Sequence, residues 1–313
     1  MAVELHCHTL FSVDGHGTPE TLVDIAAEQG VTTLSITEHN HLGSLKRACR
    51  RSTEQGIRYL TGVELDAVWQ GEALHLLAFG FEPDHPDLQA LAEENHALYE
   101  RRFELYLKIL AELGYPVSGE DLSQGLARRY PTHPAPVMNQ WFAETTLVHQ
   151  GVFPDRATFR QALAEAKSHL FAGPGPQALG QFAPFREVIT TVHRAGGVGL
   201  LAHVAKYFPG EAERQIALIQ ALTSAGLDGF ELYHPANLAE PHFDRLALEA
   251  QISGCLISGG SDCHDASASG PGGIGSAPAP ETIVPHLESA VAHRRRSSSP
   301  PRFLDRFRRR KNS

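Results

Sequence analysis

Cysteine is scarce: Cys7, Cys49, Cys255 and Cys263 are the only four in 313 residues, and no two form a CxxC pair. That argues against a disulfide framework and against a thiolate metal site. No run of about 18 apolar residues occurs, so no membrane-spanning helix is expected. The N-terminus has neither the basic segment nor the apolar core of a signal peptide. No internal repeat is visible. A reduced, cytoplasmic protein is the expectation. With 42% hydrophobic and 20% charged residues the chain can bury a substantial core. Its length suits one large α/β domain or two smaller ones.

Charge is unevenly spread. Nine of the 27 Lys and Arg fall in RRRSSSPPRFLDRFRRRKNS, residues 294–313, leaving 18 basic against 35 acidic residues before it. An acidic body suits a protein that gathers cations. The basic tail is expected to be disordered and solvated, with contact to nucleic acid or an anionic surface as the alternative. Eighteen histidines are many for this length, and several adjoin Asp, Glu or Gly.

Short apolar runs alternate with helical patterns. Strands are read at Val3–His8, Thr33–Thr37, Tyr59–Glu64 and Leu74–Phe79, and helices at Pro19–Gln29 and Ser44–Gln55. From 85 to 180 only helical patterns appear: Leu88–Leu113, Val137–His149 and Arg156–Lys167, closed by the loop Gly173-Pro174-Gly175-Pro176. Alternation then resumes: helices at Pro184–Ala195, Glu211–Ala225 and Leu238–Gln251, and strands at Val198–Ala202, Gly229–Tyr233 and Cys255–Ser258. A last helix is read at Glu281–His293. Such alternation implies parallel strands with crossover helices. About seven strands fit a closed or distorted α/β barrel, made of 1–84 and 181–293, with 85–180 as an inserted helical cap. In such barrels the chemistry sits at the C-terminal ends of the strands.

Polar residues cluster there. His6 and His8 end the first strand; two apart, they face the same side and can hold one ion. Asp14 follows in a loop, with His16 as a neighbour able to replace it. His39 ends the second strand and Glu64 the third. His75 interrupts the fourth, His203 follows the fifth, and Asp262 and His264 end the last. Nine such coincidences are hard to attribute to packing. Imidazole and carboxylate donors suit Mn²⁺, Zn²⁺ or Fe²⁺. Nine ligands are too many for one ion; two to three divalent ions, Mn²⁺ first among them, use them sensibly. Such ions generate hydroxide at neutral pH and clamp phosphate oxygens. Cys7 and Cys263 lie between ligands and point away, into the core.

His6-x-His8, Thr37-Glu38-His39-Asn40, Gly62-Val63-Glu64, His75-Leu-Leu, Ala202-His203 and Gly260-Ser261-Asp262-x-His264 resemble, in order, the motifs of the PHP (polymerase and histidinol phosphatase) family. The resemblance implies a distorted (β/α)7 barrel with a trinuclear metal centre. His6, His8, Glu64 and Asp262 would hold one ion. Glu64, His75 and His203 would hold a second, and Asp14, His39 and His264 the third. A metal-bound hydroxide held by Glu64, Asp262 and His203 would attack phosphorus. Ala202-His203-Val204-Ala205-Lys206-Tyr207 and Glu231-Leu232-Tyr233-His234-Pro235 are similar to motifs of the branch with nucleoside 3′,5′-bisphosphate phosphatases and 5′-to-3′ RNA exonucleases. The substrate implied is a nucleotide or short RNA, with Lys206 and His234 as contacts.

The departures lie in the substrate pocket. Pro131-Thr132-His133-Pro134-Ala135 lacks the Arg of the branch's R-P-H-x-A, and no Y-V-P-R stretch follows the helical segment. Arg128 or Arg129 is expected to compensate, with Arg129 taken as the contact. His41 and His133 are read as structural. Two alternatives stay open: another small phosphomonoester such as histidinol phosphate, and a non-catalytic metal-binding regulatory module.

Overall fold

The Thr18 hydroxyl accepts from the Thr21 N–H and Pro19 takes the first helical position, so a helix must start there. It does, in a computed structural model that describes residues 2–133, 138–172, 180–265, 267, 272–277 and 279–298. The order opens β1 (Ala2–Glu4), α1 (Pro19–Glu28), β2 (Val31–Leu34), α2 (Leu45–Gln55), β3 (Arg58–Tyr59), β4 (Gly62–Trp69) and β5 (Glu72–Phe79). Helices α3 (Pro86–Glu112), α4 (Gly119–Arg129), α5 (Gln140–His149) and α6 (Arg156–Ala172) follow. The chain then runs α7 (Phe185–Arg194), β6 (Val198–Leu201), α8 (Ala212–Ser224), β7 (Gly229–Tyr233), a helical turn Pro235–Leu238, α9 (Phe243–Ser253), β8 (Leu256–Gly259) and α10 (Ile283–Ser298).

The fold is mixed α/β. Strands β1-β2-β3 form one parallel sheet and β4-β5-β6-β7-β8 a second. The expectation of parallel strands throughout is corrected at β5, which runs antiparallel to both β4 and β6. The cause is a two-residue hairpin: Gln70 (φ 53°) and Gly71 (φ 91°) both take positive φ, and such a turn leaves no room for a crossover helix. Tyr59–Glu64 is likewise not one strand but the end of β3 and the start of β4. The ladders of the two sheets are not continuous with each other. Between them stand single bridges, Cys7 with Cys263 and His39 with Glu64.

Helices α3 to α6 pack round their own core of Phe103, Leu110, Leu147, Phe153 and Phe159. A separate core lies beneath β4 to β7, with Leu65, Leu76, Phe185, Val188 and Phe230. Cys7 and Cys263 are fully buried beside Leu22, Leu34 and Ile36, as expected. The start of the basic segment is corrected. Residues 294–298 continue α10, because the Arg294 guanidinium pairs with Asp228 and Arg295 donates to the Gly80 carbonyl at 2.6 Å. Residues 299–313, the loop 173–176 and Pro134-Ala135 lie outside the described residues, as does Val137. No helix among the described residues is long and apolar enough to cross a membrane.

Candidate metal centre

Seven of the nine sequence-derived ligands stand in the loops beyond strand ends; Glu64 lies within β4, and His75 lies within β5, opposite Asp66 of β4. Three positions at this edge force the backbone into the left-handed region: Asn40 (φ 49°), His203 (φ 57°) and Asp262 (φ 54°). Such conformations cost about 1 kcal/mol or more for residues other than glycine, and they collect where function demands a particular side-chain direction.

Glu64 is the hub. Its Oε2 lies 3.1 Å from His6 Nε2, 3.2 Å from His8 Nε2 and 3.3 Å from His39 Nδ1. Its Oε1 lies 3.0 Å from His75 Nδ1 and 3.3 Å from His203 Nε2. Asp262 Oδ1 sits 3.2 Å from both His6 Nε2 and His8 Nε2. Asp14 Oδ2 is 3.2 Å from His264 Nε2 and 3.7 Å from His39 Nε2. The donor atoms of His6, His8, Glu64 and Asp262 all lie within 4.8 Å of one another, as do those of His8, Asp14, His39 and His264 and those of His39, Glu64 and His75.

The outward nitrogens are tied down. His6 Nδ1 meets Glu231 Oε1 at 3.0 Å, with both side chains fully buried. His8 Nδ1 meets Ser12 Oγ at 2.9 Å, and that hydroxyl donates to Glu38 Oε2 at 2.9 Å. His264 Nδ1 meets the Asp262 carbonyl at 2.7 Å. His75 Nε2 lies 3.4 Å from Asp66 Oδ1. An imidazole that donates outward is left with a lone pair on its inward nitrogen. In their neutral forms all four therefore aim lone pairs at carboxylate oxygens about 3 Å away. Acceptor facing acceptor is repulsive unless a proton or cation lies between them. Buried His39 Nδ1, His203 Nδ1 and Asp14 Oδ1 also have no hydrogen-bond partner. The donor set and its orientation fit divalent cations.

The electrostatics agree. Burial works against charge on Glu64, yet His39, His6 and His75 hold its carboxyl well below the usual range. Burial likewise opposes charge on His8, but the bonds from Asp262 and Glu64 push it up to about 9. Burial drives His203 down to about 3, so its imidazole is neutral at physiological pH, the form a divalent cation requires.

The substrate-side candidates divide. Lys206 pairs with Asp262 while remaining 45% exposed. His234 Nδ1 accepts from the Ala236 N–H at 3.0 Å, so its proton sits on Nε2, 3.5 Å from Asp262 Oδ2. Arg129 is not brought to the cluster. It is exposed on α4 and lines a separate cavity of about 360 Å³ with His16 and Trp141. His16 turns to Asp265 at 3.3 Å rather than joining Asp14.

Sequence reasoning missed Asp66, Glu231 and the Glu38–Ser12 pair as supports. Asp66 was within reach, since it shares the strand face of Glu64 two residues earlier. It also missed Lys167. This residue is half-buried on α6 and donates to Gln140 Oε1 at 3.4 Å. The Gln140 N–H donates to the Val13 carbonyl at 2.7 Å, which sets Lys167 beside the loop carrying Asp14.

Comparison with known proteins gives one family. A model of the PHP domain matches residues 4–130. The chain is 31% identical over 274 residues to a 3′,5′-nucleoside bisphosphate phosphatase of Chromobacterium violaceum, covering 87% of this chain and 89% of that one. It is 29% identical over 264 residues to a 5′-3′ exoribonuclease of Haemophilus influenzae, covering 83% and 89%. Among solved structures, a protein from Bifidobacterium adolescentis proposed to be a metal-dependent phosphoesterase superposes with a TM-score of 0.73 at 26% identity, covering 92% and 95%.

Proposed function

From the premise that this chain belongs to the PHP family and is a metal-dependent phosphoesterase, we propose that it hydrolyses phosphoesters of nucleotides, either 3′,5′-bisphosphates or the 5′ ends of short RNA. The observation that carries the reading is the convergence of inward ring nitrogens of His6, His8, His75 and His264 on carboxylate oxygens about 3 Å away, with donor atoms close enough to share cations. His6, His8, Asp14, His39, Glu64, His75, His203, Asp262 and His264 would hold two to three divalent ions. Mn²⁺ is the first choice, and Zn²⁺ and Fe²⁺ suit the same donors. Bound there, the ions would supply an activated water and neutralise the non-bridging phosphate oxygens.

The chain's own groups do the rest. His234 keeps an Nε2 proton at the cluster edge, able to donate to a phosphate or leaving-group oxygen. Lys206 can exchange Asp262 for a phosphate oxygen, as a point charge rather than a bidentate clamp. Lys167 suits the phosphate that does not react. Burial lowers the affinity of its amine for a proton, Asp14 offsets part of that, and it has no carboxylate within ion-pair distance among the described residues. We read the strands as a distorted (β/α)7 barrel whose ladders lapse at the Cys7–Cys263 and His39–Glu64 bridges, with 85–180 as an inserted cap. The basic residues beyond Ser298 would add salt-dependent affinity for RNA.

Purified protein with Mn²⁺ is expected to release phosphate or mononucleotide from a nucleoside 3′,5′-bisphosphate or a 5′-phosphorylated short RNA, and to stop on chelation. Failure on these and on an aryl phosphate with Mn²⁺, Zn²⁺ and Fe²⁺ alike would overturn the reading. Lys167→Ala is expected to raise KM for the bisphosphate about tenfold or more, the worth of one charge-assisted hydrogen bond. Its aryl phosphate turnover should stay at the wild-type level.

A further inference from the structure

Three of the four outward imidazole contacts end on strands or on the loops that follow them. The fourth leads on to helix α3. Asp66 is 1% exposed, in the middle of β4, and among the described residues no charged partner other than imidazole lies within ion-pair distance of it. Its Oδ1 lies 3.4 Å from His75 Nε2 and accepts from the Tyr99 hydroxyl at 2.9 Å. Its Oδ2 accepts from the Asn40 side-chain amide. Asn40 Oδ1 in turn accepts from the Asp66 N–H and from Asn95 Nδ2, both at 3.0 Å, and Asn95 Nδ2 also reaches the Asp66 carbonyl at 2.9 Å. Asn95 and Tyr99 are four residues apart, on one face of α3. Asn40 holds its place with a left-handed backbone.

We propose that Asp66 is a positioning residue for the metal centre: it fixes the tautomer and ring direction of His75, and Asn40 from the loop after β2, with Asn95 and Tyr99 from helix α3, holds Asp66 in place. Both oxygens of the Asp66 carboxylate already face donors, Oδ1 those of Tyr99 and His75 and Oδ2 that of Asn40. The group therefore serves as an anchor for imidazole rather than as a further ligand. With its proton drawn to Nε2, His75 presents the Nδ1 lone pair towards Glu64 Oε1. Loss of the anchor lets the ring tautomerise or turn, and the ion shared with Glu64 is the one that suffers. The helices following β5 thereby reach the metal centre without contributing a ligand.

The inference rests on the reading that these histidines hold cations, and the experiment separates the two. Metal-free wild type, Asp66→Asn and Tyr99→Phe are titrated with Mn²⁺ and Zn²⁺ against a chromophoric chelator. Bound metal is counted by elemental analysis, and the metal-free melting temperature of each is recorded. Asp66→Asn keeps shape and, with its oxygen in the Oδ1 place, the hydrogen bond from Tyr99, while removing the charge and the acceptor for Asn40. It is expected to weaken one metal equivalent about 10- to 100-fold, leaving the others at wild-type affinity. Tyr99→Phe is expected to weaken the same equivalent by a smaller factor, with a metal-free melting temperature close to wild type. A general loss of packing would lower that melting temperature and weaken all sites together, which would overturn the proposal. Wild-type affinities in both variants would also overturn it while leaving the metal reading intact. A wild type that binds no divalent ion tightly would overturn both.

Discussion

Replacing Glu64 by Gln is expected to lower kcat/KM about a thousandfold or more, roughly 4 kcal/mol of transition-state stabilisation, and to remove at least one equivalent of bound metal. The size follows from position. Glu64 is nearly inaccessible and meets five imidazoles, three at Oε2 and two at Oε1, all at 3.0–3.3 Å. Gln keeps the shape but turns one oxygen into a donor and cancels the charge. Whichever side the amide nitrogen takes, at least one ion loses its anionic oxygen. The fold should survive, because the imidazoles that lose a charged partner can lose protons as well. Steady-state kinetics, elemental analysis and a circular dichroism melt on one preparation check this. A Gln variant with full metal content and activity within about tenfold of wild type would show that Glu64 is not shared between ions.

The ligand types were legible because alternation is a local rule. His6 and His8 announce a shared face from spacing alone, whereas the left-handed backbone at Asp262 sends Asp262 and His264 to different donor groups. What supports them was not legible, because it is remote: His6 is held by Glu231, 225 residues later in the chain. The antiparallel β5 was missed because Gln70 gives no sign of positive φ, which only glycine and, less often, asparagine advertise. The same holds for His203 and Asp262, whose left-handed backbone is imposed by surroundings rather than by residue type. Helix α4 was passed over because Gly119 and Gly125 weaken its helical signal, although Ser118 caps it by accepting from the Asp121 N–H at 3.2 Å. Arg129 looked suitable by composition, yet its position on that helix turns it to a different cavity. Nothing in the spacing marks Lys167, which α5 and α6 set beside the Asp14 loop.

Gly260→Ala is expected to damage stability and metal binding together, through a clash that has no flexible outlet. A Cβ on Gly260 would lie 2.3 Å from the His6 backbone nitrogen, 2.5 Å from His6 Cβ and 2.6 Å from Glu4 Oε1. Glu4 is fully buried and joins three stretches of chain. Its Oε1 accepts from the N–H groups of His6 at 3.1 Å and Ser261 at 2.9 Å, and its Oε2 from Gly275 N–H at 3.0 Å. The added methyl group meets main chain on one side and this carboxylate on the other, so the segment after β8 must move off the first strand. Overpacking of this kind costs about 3 kcal/mol or more. The melting temperature should fall by roughly 6 °C or more. Asp262 and His264 move with the segment, so metal affinity falls too, although Gly260 carries no ligand atom. Gly254→Ala is the matched control: Gly254 caps α9 at φ 61° with nothing within 4 Å of a Cβ. Its cost is backbone strain of about 1 kcal/mol, with metal affinity unchanged. Thermal melts with and without Mn²⁺, beside chelator titrations, separate the two variants. If Gly260→Ala melts within about 2 °C of wild type and binds metal normally, the first and last strands are not locked together at Glu4.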